Sequence, residues 1–309
     1  RHPGRGRGAV TAALQVPGVA LEAAGLIALR QVALQARSDP VLAALPGGFA
    51  TRRKGHGHEV ADVREYVSGD DIRHLDKGTT ARTGVLHVRQ FHEERDRVCL
   101  LVADFRASML WGISRAFRSV VAAETLCLIG WHVVAEGGRV GLLALTPDGQ
   151  VSVPPRGRVR GMLDVIGGLV RAHAQALGVV AQGQGGDPAL ERAMTSLLRL
   201  APSGSEVMIA SGFDDMGPGM EDRLAELSRN RVPRLIRITD AATGRLPPGR
   251  YPIRLSDGRR LHLSLSRQAR SPAESAPVLG QRALLVDAGS SVEAIARLLA
   301  ASLPADRLP

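Results

Sequence analysis

The residues best placed for chemistry follow the most apolar stretch of the chain. Asp104, Arg106 and Ser108 alternate directly after residues 98–103, which are Val, Cys, Leu, Leu, Val and Ala. A carboxylate, a guanidinium and a hydroxyl at this spacing can recognise a carboxylate on another molecule or help to hold an ion. These three residues are the first candidates for a functional site.

A second group of charged residues lies earlier in the chain, in a segment with turn-forming residues. Its members are Gly69, Asp70, Asp71, Arg73, Asp76, Thr80 and Arg82. Alternating carboxylates and guanidinium groups suit an ion-paired structural staple, which we favour, and they also suit contact with a partner. A hydrolase site using Asp70, Asp71 and His74 lacks an activated nucleophile nearby, so it is the least favoured alternative.

The elements that must position these residues alternate between strand and helix over the last two thirds of the chain. Apolar runs such as residues 98–103 and 207–210, the second of which follows Glu206, are typical of parallel strands buried on both faces. The alternation predicts an α/β fold with a doubly wound, mostly parallel sheet, which binds ligands at the carboxyl ends of its strands. Asp214 and Asp215 follow the second run, so we expect them to share this edge with Asp104.

Three segments are predicted along the chain. Residues 1–48 form a helical segment, and residues 49–96 form the segment of the charged turn, with a β extension. Residues 97–309 form the α/β domain, which includes a small C-terminal β-hairpin around Asp257-Gly258 and a last helix.

Two local patterns within the α/β domain give more detailed expectations. Residues 150–153 form a short strand that Pro154-Pro155 stops. Residues 188–200 have a helical pattern and are expected to form a helix.

The N-terminal segment combines a basic start with a mostly apolar stretch over residues 9–29. Pro17 and Glu22 interrupt this stretch, and a carboxylate at the centre of a membrane span costs about 2.5–3.5 kcal/mol. One helix face is indicated by the spacing of Leu21, Leu26, Leu29 and Val32. We therefore predict an amphipathic helix on the domain surface and no integral membrane segment.

The composition narrows the class of function. The chain has 309 residues and a formal net charge of +10, and basic chains often bind nucleic acid, acidic membranes or acidic proteins. Its arginines are scattered, and aromatic residues make up only 3%, which leaves no stacking platform for nucleic acid. Cys99 and Cys127 lie in apolar patterns, as buried free thiols of a reducing compartment do. We therefore expect a cytoplasmic protein that does not bind nucleic acid.

Two segments together resemble the domain-of-unknown-function family 58. One is Gly69-Asp70-Asp71-Ile72-Arg73-His74-Leu75-Asp76 with Thr80-Ala81-Arg82, and the other is Asp104 to Ser108 with Met109 and Gly112. Proteins of that family carry a von Willebrand factor A-like domain and commonly occur beside MoxR-type AAA+ ATPases. The resemblance, which covers about residues 18–240, therefore implies a von Willebrand A fold behind an N-terminal extension.

The resemblance also implies where a metal would bind. In von Willebrand A domains the first strand ends in D-x-S-x-S, and these residues hold Mg²⁺ with a later Thr, a later Asp and a partner's carboxylate. Asp104 and Ser108 match this pattern. Arg106 replaces the middle Ser, Gly186 replaces the Thr and Gly212 replaces the later Asp. We therefore expect a degenerate metal site at Asp104 and Ser108, with no cofactor and no bound Mg²⁺.

Arg106 leaves two alternatives open. Its guanidinium can stand in for the metal and bind a partner's carboxylate, in a site shared with Asp104, Ser108, Asp214 and Asp215. Alternatively, Arg106 forms an internal ion pair with Asp104 and Asp214, and the site binds nothing.

The expected function is that of a protein-interaction adaptor rather than an enzyme. The chain contains no G-x-x-x-x-G-K-[ST] phosphate loop and no G-x-S-x-G nucleophile elbow. The resemblance implies a MoxR-type ATPase, or that machine's client, as the partner in chaperone-like assembly or maturation of a protein complex. The alternative is a structural or self-associating interaction protein that works without an ATPase.

Overall fold

The computed structural model describes residues 16–37, 60–67, 72–91, 97–184, 186–254, 260–265 and 277–302. These residues fall into two units. The larger unit takes its residues from segments 1–46 and 97–305, and the smaller unit takes them from segment 47–96. The N-terminal helix therefore belongs to the same unit as the predicted α/β domain.

The helices are α1 (Ala23–Arg37), α2 (Lys77–Thr83), α3 (Arg118–Ala135), α4 (Arg158–Ala181), α5 (Leu190–Ala193), α6 (Leu197–Leu200), α7 (Met220–Ser228) and α8 (Val292–Ser302). The strands are β1 (Val60–Glu65), β2 (His87–Phe91), β3 (Val98–Asp104), β4 (Arg139–Thr146), β5 (Gly149–Gly157), β6 (Glu206–Ser211), β7 (Val232–Thr239), β8 (Gly249–Arg254), β9 (Arg260–Leu265) and β10 (Ala283–Asp287). Short 3₁₀ helices span Ile72–His74, Ala107–Met109 and Ala241–Arg245.

Six strands of the larger unit form one sheet in the order β10-β7-β6-β3-β4-β5. All neighbouring pairs are parallel except β4 and β5, which are antiparallel. The chain runs outward from β3 through β4 to the edge strand β5, and it then returns to β6 on the other side of β3. This reversal creates a topological switch point between β3 and β6, where doubly wound folds bind their ligands. The predicted α/β fold with a mostly parallel sheet is confirmed.

Helices cover both faces of this sheet, because successive side chains of a strand point to opposite faces. In β3, Cys99, Leu101 and Ala103 pack with α1, α3, α4 and α8 on one face. Leu100 and Val102 pack with α5, α6 and α7 on the other face. Every residue of β3 is buried, which explains why its sequence is continuously apolar.

The predicted N-terminal amphipathic helix is confirmed as α1. Leu21, Leu26 and Leu29 are buried, and Val32 packs partly against the same cluster. The indole Nε1 of Trp131 in α3 donates a hydrogen bond of 3.0 Å to the carbonyl oxygen of Leu26. The apolar face of α1 therefore lies against the α/β core.

Two described helices are long and apolar enough to cross a membrane, judged by length and composition alone. They are α3 and α4. In α3, 78% of the apolar window is buried inside the fold, where the helix packs against the sheet and α1. The apolar composition of α3 is thus what a core helix requires, and it does not by itself assign the chain to a membrane.

The strand expected to stop at Pro154-Pro155 continues through both prolines and ends at Gly157, so this prediction is wrong. Because β5 is an edge strand that pairs only with β4, residues without an N–H group are tolerated there. The pairing register shifts between Val140 and Leu142 of β4, which accommodates the irregular segment.

The continuous helix expected over residues 188–200 is also wrong, because two short helices, α5 and α6, form instead. The hydroxyl of Ser196, in the break between them, donates a hydrogen bond of 2.6 Å to the side-chain oxygen of Gln150 in β5. This contact ties the break to the sheet, which is a tertiary constraint that helix periodicity does not reveal.

The two cysteines are buried free thiols, as predicted. Burial raises the pKa of the Cys99 thiol to about 12, and burial also raises the pKa of Cys127. Both thiols therefore stay protonated and unreactive at neutral pH.

Candidate functional site: the carboxyl edge at the switch point

The two strands that flank the switch point end in polar residues that contact each other. Asp104 is the last residue of β3, and Ser211 is the last residue of β6. The Ser211 hydroxyl donates a hydrogen bond of 2.6 Å to Oδ2 of Asp104, and it accepts one of 3.0 Å from the backbone N–H of Phe213. The parallel pairing of β3 and β6 therefore brings together side chains that are about a hundred residues apart in sequence.

Arg106 forms a buried, bidentate ion pair with Asp104. Its Nε donates to Oδ1 of Asp104 over 2.9 Å, and its Nη2 donates to Oδ2 over 2.8 Å. The backbone N–H of Arg106 donates a further hydrogen bond of 3.0 Å to Oδ1. Two parallel bonds between a guanidinium and a carboxylate are the strongest form of this pair and fix the direction of the side chain.

The same guanidinium joins three loops. Its Nη1 donates hydrogen bonds to the carbonyl oxygens of Pro188, over 2.7 Å, and Asp215, over 3.0 Å. These carbonyls belong to the loop before α5 and the loop after β6. The N–H of Leu190 also donates to the carbonyl of Asp215 over 3.0 Å, so the two loops are bonded to each other as well.

The charge of Arg106 persists although its side chain is 0% exposed. Burial alone lowers the pKa of a guanidinium, but attraction to Asp104 and the hydrogen bonds to it outweigh burial and raise the pKa of Arg106. Arg106 therefore stays charged in the folded protein, and it depends on Asp104 beside it.

This placement bears on the two alternatives for Arg106. A side chain with no exposed surface does not present its guanidinium to a partner's carboxylate in this arrangement. The internal pair with Asp104 is present, but the expected pair with Asp214 is not, because Asp214 pairs with Arg118 over 2.8 Å. Because its donors point into the protein, the arrangement favours the internal pair with Asp104 over direct binding of a partner's carboxylate by Arg106.

Arg118, the first residue of α3, is a site residue that the sequence patterns missed. Its side chain is 7% exposed, and its Nε donates a hydrogen bond of 3.1 Å to the carbonyl of Ile238. Its Cζ lies 5.3 Å from the centre of the Trp111 ring, within the range of a cation–π interaction. A charged residue at the start of a mostly apolar helix was the available signal.

Gly212 is required by Arg118. A Cβ built on Gly212 would lie 1.7 Å from Nη2 of Arg118 and 2.5 Å from Oδ2 of Asp214. A side chain at this position therefore requires the guanidinium of Arg118 or the carboxylate of Asp214 to move. Glycine instead of the expected Asp at position 212 thus leaves the space that the guanidinium of Arg118 occupies.

The residues at this edge do not fit a bound Mg²⁺. Both carboxylate oxygens of Asp104 already accept hydrogen bonds from Arg106, and Oδ2 accepts a further one from Ser211. A metal here would have to displace these donors and lie beside a guanidinium charge, against direct repulsion. In the described part of the chain, no group of three or more His, Cys, Asp or Glu residues is arranged to hold a metal.

Among the described residues, two polar atoms beside Arg106 have no hydrogen-bond partner of normal geometry: Oγ of Ser108 and Oδ1 of Asp187. Burial raises the pKa of Asp187, while the charge of Arg106 and the nearby Ser108 act in the opposite direction. Ser108 is thus close to Asp187, a neighbour that the sequence did not indicate.

The outer surface of the edge carries an apolar and an acidic side chain. Ile113 is 42% exposed, and the side chain of Asp214 is 49% exposed. The backbone N–H of Ile113 donates a hydrogen bond of 2.7 Å to Oδ2 of the buried Asp240, which follows β7. The loop that carries Ile113 is therefore anchored to the sheet.

The charged turn lies in the smaller unit and is described only in part: Gly69, Asp70 and Asp71 lie outside the described residues. Asp76 caps α2 by accepting a hydrogen bond of 2.7 Å from the N–H of Thr79. The hydroxyl oxygen of Thr80 accepts one of 2.9 Å from the N–H of His87 in β2. Asp76 and Thr80 therefore fix α2 and β2 within the smaller unit, and Arg73 and Arg82 lie at its surface.

The strand order, the helices on both faces and the polar switch point define the larger unit as a doubly wound α/β domain. The chain belongs to the family described as Protein of unknown function DUF58, which matches residues 62–271. The resemblance to family 58 is thereby confirmed. Uncharacterized proteins of Mycobacterium tuberculosis and Mycobacterium bovis are each 33% identical over 102 residues, 33% of this chain and 32% of theirs. The match thus spans about a third of the length of these relatives.

Proposed function

We propose that the chain is a protein-interaction adaptor whose larger unit is a von Willebrand A-type domain and whose carboxyl edge binds a protein partner. The observation that carries this proposal is the edge itself, where the exposed Ile113 lies in a loop anchored by Asp240. Protein interfaces combine apolar residues at their core with a polar rim. The family resemblance supplies the partner, a MoxR-type ATPase or its client in complex assembly.

The von Willebrand A assignment is supported by the strand order and by the position of Asp104. The first strand of the sheet, β3, lies in its centre and ends in Asp104, where that fold has the start of its metal motif. The antiparallel strand β5 lies at one edge of the sheet.

A non-enzymatic role is supported by the chemistry of the described polar residues. Ser119 and His173 share a hydrogen bond of 3.0 Å, but both are buried between α3 and α4, where the His173 ring packs against Phe105 and neither side chain is open to a substrate. Asp104 is fully occupied by Arg106 and Ser211 and is not available as a base. A hydrolase site at Asp70, Asp71 and His74 is tested by an activity screen with Asp71→Asn as the control.

The proposed location is the cytoplasm. A MoxR-type ATPase works there on nucleotide, and the two thiols of the chain stay reduced there without forming a disulfide. The proposed adaptor does not bind nucleic acid and does not span a membrane.

Self-association without an ATPase is the second candidate function. It is favoured by exposed apolar side chains on the packed helices α1 and α8, since Ile27 is 42%, Leu34 is 37% and Leu298 is 36% exposed. Light scattering on the purified chain separates the two functions, because an adaptor that needs a partner remains monomeric alone.

Ile113→Asp is expected to reduce capture of the partner from native-cell lysate at least about tenfold, because a charge cannot be buried at an apolar anchor. The measurement is quantitative mass spectrometry of proteins retained by the immobilised chain. Leu163→Asp is the matched control: Leu163 is 43% exposed on α4, which begins at the opposite edge of the sheet. Equal loss in both variants, or no loss in Ile113→Asp, would contradict the proposal.

A further inference from the structure

We infer that two buried guanidinium groups, those of Arg106 and Arg118, hold the switch-point loops together in the place of a divalent cation. The inference stands apart from the proposed function, because it concerns how the edge is assembled and none of its tests needs a partner. A structural cation would neutralise the carboxylate of Asp104 and join the loops that follow β3 and β6. Each of these tasks is carried out by an arginine of the chain.

Arg106 supplies the central charge and the link between loops. The Nε and Nη2 groups of Arg106 neutralise the carboxylate of Asp104. Its Nη1 group donates hydrogen bonds to the carbonyls of Pro188 and Asp215. The two loops that carry these carbonyls are also bonded to each other. The N–H of Leu190 donates to the carbonyl of Asp215, and the N–H of Glu191 donates to the carbonyl of Met216. These two amides therefore report directly whether the loops are held together.

Arg118 supplies the second positive charge, through its ion pair with Asp214. Besides the ion pair, its Nη1 lies 3.4 Å from the carbonyl of Ser108, and its Nε bonds the carbonyl of Ile238. It thereby joins the loop after β3 to β7 and to the loop after β6.

Two of the three departures from the metal motif, those at positions 106 and 212, are explained together by this arrangement. Arg at position 106 puts a fixed cation against Asp104, and Gly at position 212 leaves space for the guanidinium of Arg118. A guanidinium is covalently attached and stays charged at all physiological pH values, so it does not dissociate and a chelator cannot remove it. The geometry of the edge is therefore independent of divalent ions.

Hydrogen exchange of the Leu190 and Glu191 amides tests the inference. In the wild type, we expect the same exchange rates with EDTA and with millimolar Mg²⁺ or Mn²⁺, and no heat of metal binding by calorimetry. Arg106→Lys keeps the positive charge but loses the bidentate hydrogen bonds to Asp104. In this variant we expect hydrogen exchange at these amides to be at least about tenfold faster than in the wild type. Arg156→Lys is the matched control, because the Arg156–Asp164 pair is exposed (56% and 39%).

The glycine provides a second test that does not depend on the folding of the Arg106 variant. Gly212→Ala is expected to lower the melting temperature by at least about 5 °C, because its Cβ displaces Arg118. Gly178→Ala in α4, where no atom lies within 4 Å of the new Cβ, is expected to leave it unchanged or raise it. Metal-dependent exchange in the wild type, stoichiometric metal binding, or equal stability of the two alanine variants would each overturn the inference.

Discussion

Arg106→Met lowers the free energy of unfolding by about 3–5 kcal/mol, the range found when one partner of a buried ion pair is removed. The side chain is 0% exposed, so no water replaces the lost donors. The carboxylate of Asp104 would remain buried with no countercharge from position 106, and the carbonyls of Pro188 and Asp215 would lose a donor. Urea denaturation followed by circular dichroism measures the change.

Two further variants show that this loss comes from the buried pair. Arg156→Met removes an exposed pair with Asp164, and we expect a change of about 0–1 kcal/mol. Adding Asp104→Asn to Arg106→Met removes the unpaired charge, so the double variant is expected to be more stable than Arg106→Met alone. If Arg106→Met and Arg156→Met lose the same free energy, the buried pair is not what stabilises the edge.

The stability of the protein is expected to fall by about 3 kcal/mol between pH 6.5 and pH 4 through His173 alone. His173 is 1% exposed, and burial lowers its pKa to about 4. In this window the unfolded chain binds a proton at His173 and the folded chain does not, so acid favours unfolding. The contribution is fully present above the unfolded pKa, near 6.5, and is lost as the pH falls through the folded pKa.

His173→Gln isolates this effect from the titration of carboxylates over the same range. Glutamine keeps a polar group that can reach the Ser119 hydroxyl, 3.0 Å from the ring nitrogen, but it does not titrate. We expect the wild type to lose about 3 kcal/mol more than the variant between pH 7 and pH 4, measured by urea denaturation at each pH. Parallel pH profiles of the two proteins would show that His173 does not carry the effect.

The strands that build the site could be predicted because their signal is local. The apolar runs of β3 and β6 are continuous since both faces of these strands are buried, and alternation with helices gives a parallel sheet. The carboxyl edge and the position of Asp104 follow from that topology. The face of α1 could be predicted for a similar reason, because helix periodicity marks buried positions directly.

The contacts of the arginines could not be predicted, because they join residues far apart in sequence. Arg106 bonds Pro188 and Asp215, which lie 82 and 109 positions away, and Arg118 bonds Ile238 at 120 positions. No sequence pattern decides whether an arginine at a strand end turns inward or outward. The direction of Arg106 depends on acceptors that only the folded loops provide.

The central claim is that the edge is assembled by arginines and binds its partner without a divalent metal. The most direct measurement is the affinity of the purified chain for the captured partner, freed of nucleotide, with Mg²⁺ and with EDTA. We predict dissociation constants that agree within about twofold, a difference of less than about 0.5 kcal/mol. Loss of binding by about tenfold or more in EDTA would contradict the account.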